Sequence, residues 1–164
     1  MPATNHDHGI YVVSGSNGII RNNLIFNNAD RGMQLYPSAQ STTIRNNTID
    51  GNGQGIIYSE TSANNIVEDN IVANSMIRFN LNYDNLTGVG NTFTSGCIFA
   101  SNADPYYNVD GGVEPGFTSV VTTSGNTIGN PNYVNKHGGD YRLGSGTACT
   151  GNGAPDSVTA GTLP

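Results

Sequence analysis

Apolar residues along this chain come in pairs and short alternations, and no stretch holds a 3.6-residue period over two turns. The pattern recurs. Ile10 and Val12 follow Gly9, Met33 and Leu35 follow Gly32, and Ile56 follows Gly55, so the glycines mark intervals of 23 residues. Each copy then reaches a second motif: Ile20-Arg21-Asn22-Asn23-Leu24-Ile25, Ile44-Arg45-Asn46-Asn47-Thr48-Ile49, and Val67-Glu68-Asp69-Asn70-Ile71-Val72. A two-residue alternation predicts short strands, and the intervening Asn, Gly and Ser predict tight corners that need positive φ. A fixed period of this length means a solenoid. Its coils, stacked roughly 4.8 Å apart, pair as parallel strands around a stack of like residues. Asn23, Asn47 and Asn70 are expected to take the left-handed corner conformation and to bond amide to amide between rungs.

The order Gly-Ile-Tyr-Val, then Ile-Ile-Arg-Asn-Asn-Leu-Ile, then Asn-Asn resembles the repeats of right-handed parallel β-helix proteins, the architecture of pectate lyases and many other polysaccharide-processing enzymes. The resemblance is specific over residues 9–75 and weakens over 76–99. It returns in Asn130-Pro131-Asn132-Tyr133-Val134-Asn135 and Gly139-Asp140-Tyr141-Arg142-Leu143-Gly144, which are similar to the closing segment of such domains. It implies right-handedness, about five to six rungs and an all-β fold. Spacing alone gives only a β-solenoid.

Composition agrees with a thin solenoid. The chain has 164 residues, sized for one domain, with 35% apolar and only 11% charged residues, 22 Gly and 24 Asn. A disordered chain would be richer in charge and poorer in periodic Ile and Val. Net charge is −6 with six scattered basic residues, which argues against a nucleic-acid surface. No apolar run approaches the roughly 18 residues of a membrane-spanning helix. Composition suggests an extracellular or cell-surface protein, although Met1 to His8 lacks the basic-then-apolar order of a signal peptide.

Taken in order, residues 1–8 read as a polar lead-in, where His6, Asp7 and His8 form either a small metal or catalytic cluster or an exposed segment. Residues 9–128 read as rungs, with Ile10, Val12, Ile20 and Ile25 in the first core layer. Nothing before that rung covers it, so its edge is expected to continue a longer helix or to meet another subunit, giving a homo-oligomer. Met76, Ile77, Phe79 and Leu81 are expected to supply the fourth rung's strand, and Asn91 to continue the Asn70 corner. Residues 100–117, with Asp104 and Asp110, read as a loop excursion, either a sugar- or calcium-contacting loop or a surface insertion. Residues 118–128 resume strand character and end in Gly125-Asn126-Thr127-Ile128, read as the last Asn corner. Residues 129–149 read as a C-terminal cap, and 150–164 as a flexible tail. Cys97 and Cys149 form either a disulfide or two free thiols.

The chemistry follows from outward columns. By alternation, Tyr11, Gln34, Ile57 and Arg78 stack on one column, with Val13, Tyr36, Ser59 and Asn80 two residues on. Rings, amides and guanidinium groups suit sugars, which makes Tyr11, Gln34, Tyr36, Arg78 and Asn80 candidate polysaccharide contacts, although Tyr is also common on ordinary β surfaces. A second column reads Arg21, Arg45, Glu68. In pectate-lyase-like enzymes an Arg acts as base or binds a uronate carboxylate, so the resemblance implies Arg45 or Arg78 in that role with Glu68 or Asp69 nearby. A cross-strand ion pair between Arg45 and Glu68 is the structural alternative. No cofactor is expected: calcium needs clustered carboxylates, and Asp50, Glu60, Asp69 and Asp84 fall on different columns. Two functions remain open, a polysaccharide-binding or -processing β-helix and a non-catalytic structural or adhesive solenoid joined through its first rung.

Overall fold

The computed structural model describes residues 7–77, 79–99 and 112–155. Three short strands make each turn. They are β1 (Ile10–Val13), β2 (Ile19–Arg21) and β3 (Leu24–Phe26) in the first, then β4 (Arg31–Tyr36), β5 (Thr43–Arg45) and β6 (Thr48–Asp50) in the second. The third holds β7 (Gln54–Ser59), β8 (Ile66–Glu68) and β9 (Ile71–Ala73), and the fourth β10 (Leu81–Asp84), β11 (Thr92–Thr94) and β12 (Cys97–Phe99). A fifth, partial turn has the short helix α1 (Phe117–Val120) followed by β13 (Thr122–Ser124) and β14 (Thr127–Ile128). An antiparallel hairpin, β15 (Tyr133–Asn135) and β16 (Asp140–Leu143), closes the described chain.

Strands at the same place in successive turns pair in parallel. The first sheet runs β1-β4-β7-β10, the second β13-β11-β8-β5-β2 and the third β14-β12-β9-β6-β3. The described residues thus form an all-β parallel solenoid of about four full turns and a partial fifth, where about five to six rungs were expected; in the fifth, residues 118–120 are helical where a strand was expected. Met33, Leu35, Ile44, Ile49, Ile56 and Val67 point inward and are fully buried. Each contributes roughly 1.5–3 kcal/mol relative to exposure. At the far end Phe117 and Val121 join this core, and the Phe117 ring meets Tyr58 edge-on at 5.7 Å.

The glycines at the 23-residue mark are needed for space. A Cβ at Gly32 would lie 2.6 Å from Ile49 Cγ2 and 2.9 Å from Asn52 Nδ2, and at Gly55 it would strike the Asn80 carbonyl. Positive φ is carried mostly by other residues, and the Asn corner divides two roles between neighbours. Asn22, Asn46, Asp69 and Ser95 take the left-handed conformation, with Gly125 in the last turn. Asn23, Asn47 and Asn70, one residue later, form the ladder: Asn70 Oδ1 accepts from Asn47 N and Nδ2, and Asn47 Oδ1 from Asn23 N and Nδ2. The expectation that one column does both is corrected, since an amide reaching into the stack requires the bend to sit just before it. Asn91 belongs to a different corner, where its Oδ1 accepts from Asn65; Gly96 takes the place after Asn70, and Asn126 resumes the column beneath it. A further pair, Asn28 over Asn52, lines the corner before β4 and β7.

The described part of the tail, residues 129–155, was expected to cap the last rung and instead runs beside the stack. It lies along the outer face of the third sheet, which is why Asp50, Ile71, Ala73 and Cys97 are buried at positions that alternation would leave open. Phe26 meets Tyr141 at 5.1 Å, Cys97 is disulfide-bonded to Cys149, and Gly153 N and Ala154 N donate to Asp69 O and Thr48 Oγ1. Residues 150–155, expected to be flexible, are therefore tied to the solenoid.

Asp50 anchors this contact: it ion-pairs with Lys136 and accepts from Asn74 Nδ2 at 2.7 Å. Burial pushes its carboxyl above the usual range, opposed by Lys136 and Asn74. A carboxyl whose pKa rises on folding favours the fold most below its unfolded value, and that contribution is lost as pH rises through the folded one. The wild type is expected to lose stability relative to Asp50→Asn across that mildly acidic window, which thermal melts at stepped pH would read. Parallel profiles would mean that Asp50 stays ionised on folding.

Candidate functional site

The outward face of the first sheet carries a groove of about 430 Å³ lined by His8, Tyr11, Arg31, Gln34, Tyr36, Glu60 and Asp84. Register brings them together. Tyr11 pairs with Gln34 and Gln34 with Ile57, as alternation predicted, and Val13 pairs with Tyr36. His8 and Arg31 each stand one residue before a period glycine, and Gly9 N donates to Arg31 O across the rungs. The groove continues into a recess of about 230 Å³ that shares Arg31 and Asp84 and adds Gln54, Ile57, Asn82, Tyr83 and Glu114.

Beneath the groove lies a polar network that the sheet holds in place. Gln34, only 4% exposed, donates from Nε2 to Ser59 Oγ at 3.1 Å; its Oε1 accepts from Arg31 Nη1 at 3.0 Å and lies 2.9 Å from His8 Nε2. Arg31 Nη1 is also 3.1 Å from His8 Nε2, so that nitrogen donates to Gln34 or accepts from Arg31 according to its tautomer. Arg31 and His8 both face the buried Asp30 carboxylate, at 3.5 and 3.9 Å. These bonds hold Gln34, Arg31 and His8 in place at the floor of the groove.

Above it the rings form a ladder along the solenoid axis. His8 stacks on Tyr11 at 4.8 Å and Tyr11 neighbours Tyr36 at 6.0 Å, with near-parallel planes. Both faces of Tyr11 are therefore taken, and it offers its edge and hydroxyl to the groove. Partial burial and the neighbouring Tyr36 raise the Tyr11 hydroxyl's pKa, partly offset by Arg31, so it is a neutral donor and acceptor at physiological pH.

Of the residues singled out from sequence, Tyr11, Gln34 and Tyr36 line the groove. Asn80 does not: it is fully buried at the corner before β10, where Oδ1 accepts from Ser75 N and Oγ and Nδ2 donates to Phe99 O. Arg78 lies outside the described residues, as do His6, Asp104 and Asp110. The fourth members of the two columns are Asn82 and Asp84, since the fourth strand starts at Leu81 and leaves Met76 and Ile77 about half exposed. Alternation stepped 21 residues from Ile57 to Arg78 and from Ser59 to Asn80, whereas the pairing steps 25, two more than the 23-residue period, so the columns move on by four positions.

Arg45 and Glu68 are register partners on β5 and β8, on the outward face of the second sheet, and Asp69 sits at the following corner. They do not converge with the groove on the first sheet. Among the described residues no ion pair joins Arg45 to Glu68. Glu60 and Asp84, which spacing put on unrelated columns, share the groove because Ser59 pairs with Asp84. Arg31 was missed, His8 was weighed only with His6 and Asp7, and Glu60 and Asp84 only as separate carboxylates, although a polar residue before each period glycine, His8, Arg31 and Gln54, was a readable signal. Among the described residues no three His, Cys, Asp or Glu side chains are placed to hold a metal ion.

Residues 3–72 match the model of the family described as a right handed beta helix region, and the parallel stack runs on past that match through β13 and β14. No curated protein and no solved structure matches the chain at a significant level.

Proposed function

We propose that this parallel β-helix repeat protein binds polysaccharide along the outward face of its first sheet. The observation that carries the reading is the groove itself, lined by two tyrosines, an arginine and two acidic residues, with Arg31 held by Gln34, which bonds to Ser59. Its volume lies within the ~300–1,000 Å³ range of small-ligand sites, and its open continuation suits a chain. Planar donors and acceptors read the hydroxyls of a sugar, and Tyr36, partly exposed at the end of the ring ladder, offers aromatic surface for stacking. The Cys97–Cys149 disulfide supports an oxidising, extracellular or surface setting. Catalysis through Arg45, Glu68 and Asp69 would need a second site on the adjacent sheet, so binding is the reading favoured here.

Calorimetry against a panel of neutral, amino and acidic oligosaccharides tests it. Tyr36→Ala is expected to weaken the best ligand by roughly 5- to 30-fold, the range of one lost aromatic contact. Equal binding by this variant, or no binding to any member of the panel, would remove the proposal.

A structural solenoid that self-associates is the second reading, favoured by the first rung. Ile10, Val12 and Ile20 are only half-buried there, and a cavity of about 310 Å³ opens between Gly9, Ile10, Leu24 and Ile25. Light scattering over a dilution series separates the two, since a mass fixed at one chain removes this second reading.

A further inference from the structure

Glu60 stands out by its backbone. Thirteen non-glycine residues among those described have positive φ; twelve are Asn, Asp or Ser, whose short polar side chains tolerate it, and the other is Glu60 at 55°. The bend is imposed from outside. Glu60 N donates to Asp84 O at 3.1 Å, while its carbonyl accepts from Thr87 N, Gly88 N and Thr87 Oγ1 at 2.7–3.1 Å. Its successor on the next rung, Asn85, has φ 48° and shows that asparagine suffices at this corner. A glutamate in an unfavourable conformation that another residue would meet more easily points to a use for its carboxylate.

That carboxylate lines the groove beside Asp84. The charge balance there is negative among the described residues. Glu60 and Asp84 line the groove together with Arg31 and His8; Arg31 is ion-paired with Asp30 at 3.5 Å, and Asp84 Oδ1 accepts from Asn85 Nδ2 at 3.2 Å, so two carboxylates stand against one guanidinium that already has an acidic partner. A uronate chain would bring like charge to those carboxylates. A chain carrying protonated amines would bring the opposite charge.

Resting on the polysaccharide reading above, we propose that Glu60, with Asp84, makes the groove selective for amino-bearing, cationic saccharide chains over uronate chains. Three hexamers decide it, measured by calorimetry at mildly acidic pH and low salt: glucosamine, its N-acetylated counterpart and galacturonate. The glucosamine hexamer is expected to bind roughly three- to tenfold tighter than the acetylated one, the range that one or two exposed ion pairs supply, and the galacturonate hexamer weakest. Glu60→Asn is expected to melt above the wild type while the ratio of the first two affinities falls towards one, and Asp84→Asn is expected to lower that ratio without the gain in melting temperature. Tightest binding of galacturonate, equal affinity for the two glucosamine chains, or an unchanged ratio in both variants would overturn this inference while leaving the polysaccharide reading standing. A Glu60→Asn variant that melts below the wild type would overturn it too, since the residue would then serve the fold. Failure of all three hexamers to bind would remove both.

Discussion

Replacing Asn70 by alanine is expected to lower the unfolding free energy by about 3–5 kcal/mol, a large part of the ~5–15 kcal/mol that holds a typical domain together. The side chain is fully buried and every polar position on it is used. Oδ1 accepts from Asn47 N and Nδ2 at 2.9 Å, and Nδ2 donates to Ile44 O and Glu68 O at 2.8 Å. Alanine removes all four bonds; Asn47 Nδ2 keeps Ile20 O and Arg45 O, while Asn47 N and the Ile44 and Glu68 carbonyls lose this partner, at about 1–3 kcal/mol for each group that finds no other. Asn46, one residue before the neighbouring rung's amide, provides the control. It holds only the bend, so Asn46→Ala should cost about 1–2 kcal/mol, the penalty of positive φ for a residue with a Cβ, and Asn46→Gly close to nothing. Urea unfolding of the three variants reads these differences as midpoint shifts at constant slope. Equal losses for Asn70→Ala and Asn46→Ala would mean that the ladder amides are no more than corner residues.

This contrast also explains what the sequence made legible. A ladder bond needs an Asn amide at the same place in successive turns, so its period survives in the chain as Asn23, Asn47 and Asn70 until Gly96 interrupts it. The bend tolerates Asn, Asp, Ser or Gly, so Asn22, Asn46, Asp69, Ser95 and Gly125 form no visible column. Parallel sheets, inward columns and the register of Tyr11, Gln34 and Ile57 were readable for the same reason: a fixed period and a two-residue alternation determine them.

The candidate site was legible only where the period holds. The corner before β10 lengthens the step to 25 residues where alternation took 21, which moves the fourth rung's outward positions from Arg78 and Asn80 to Asn82 and Asp84, and no pattern within the corner itself announces the added length. His8 was read as part of a lead-in because its partners, Asp30, Arg31 and Gln34, lie on the next rung, 22 to 26 residues away. Glu60 was hidden differently, since its interest lies in a φ value that a sequence does not carry. The tail's sideways course has the same origin. Phe26, Asp50 and Cys97 occupy one face of the third sheet, but their partners Tyr141, Lys136 and Cys149 have no period to place them.

Opening the Cys97–Cys149 bridge is expected to release that tail and leave the solenoid folded. The bridge closes a 52-residue separation, for which the loop-entropy relation gives a constraint of roughly 4 kcal/mol on the unfolded chain. How that loss is felt depends on where the bonded residues pack. Cys97, Cys149, Ile71 and Ala73 form a small cluster with Phe99, Tyr133 and Leu143 on the outside of the third sheet, separate from the main core of Met33, Leu35, Ile56 and Phe93. A unit that shares few side chains with the core can open without it. In Cys97→Ser/Cys149→Ser, amides of residues 129–155 should therefore exchange much faster than in the wild type, while those of β4, β5, β7 and β8 keep most of their protection. Burial of Asp50 ends with the same event, so the pH dependence assigned to its carboxyl should shrink in the double variant. The groove lies on the first sheet, away from the tail, so its ligand should still bind. Simultaneous loss of protection in the tail and in β4 and β7 would mean that tail and solenoid unfold as one cooperative unit, and that the third sheet needs its covering to stand.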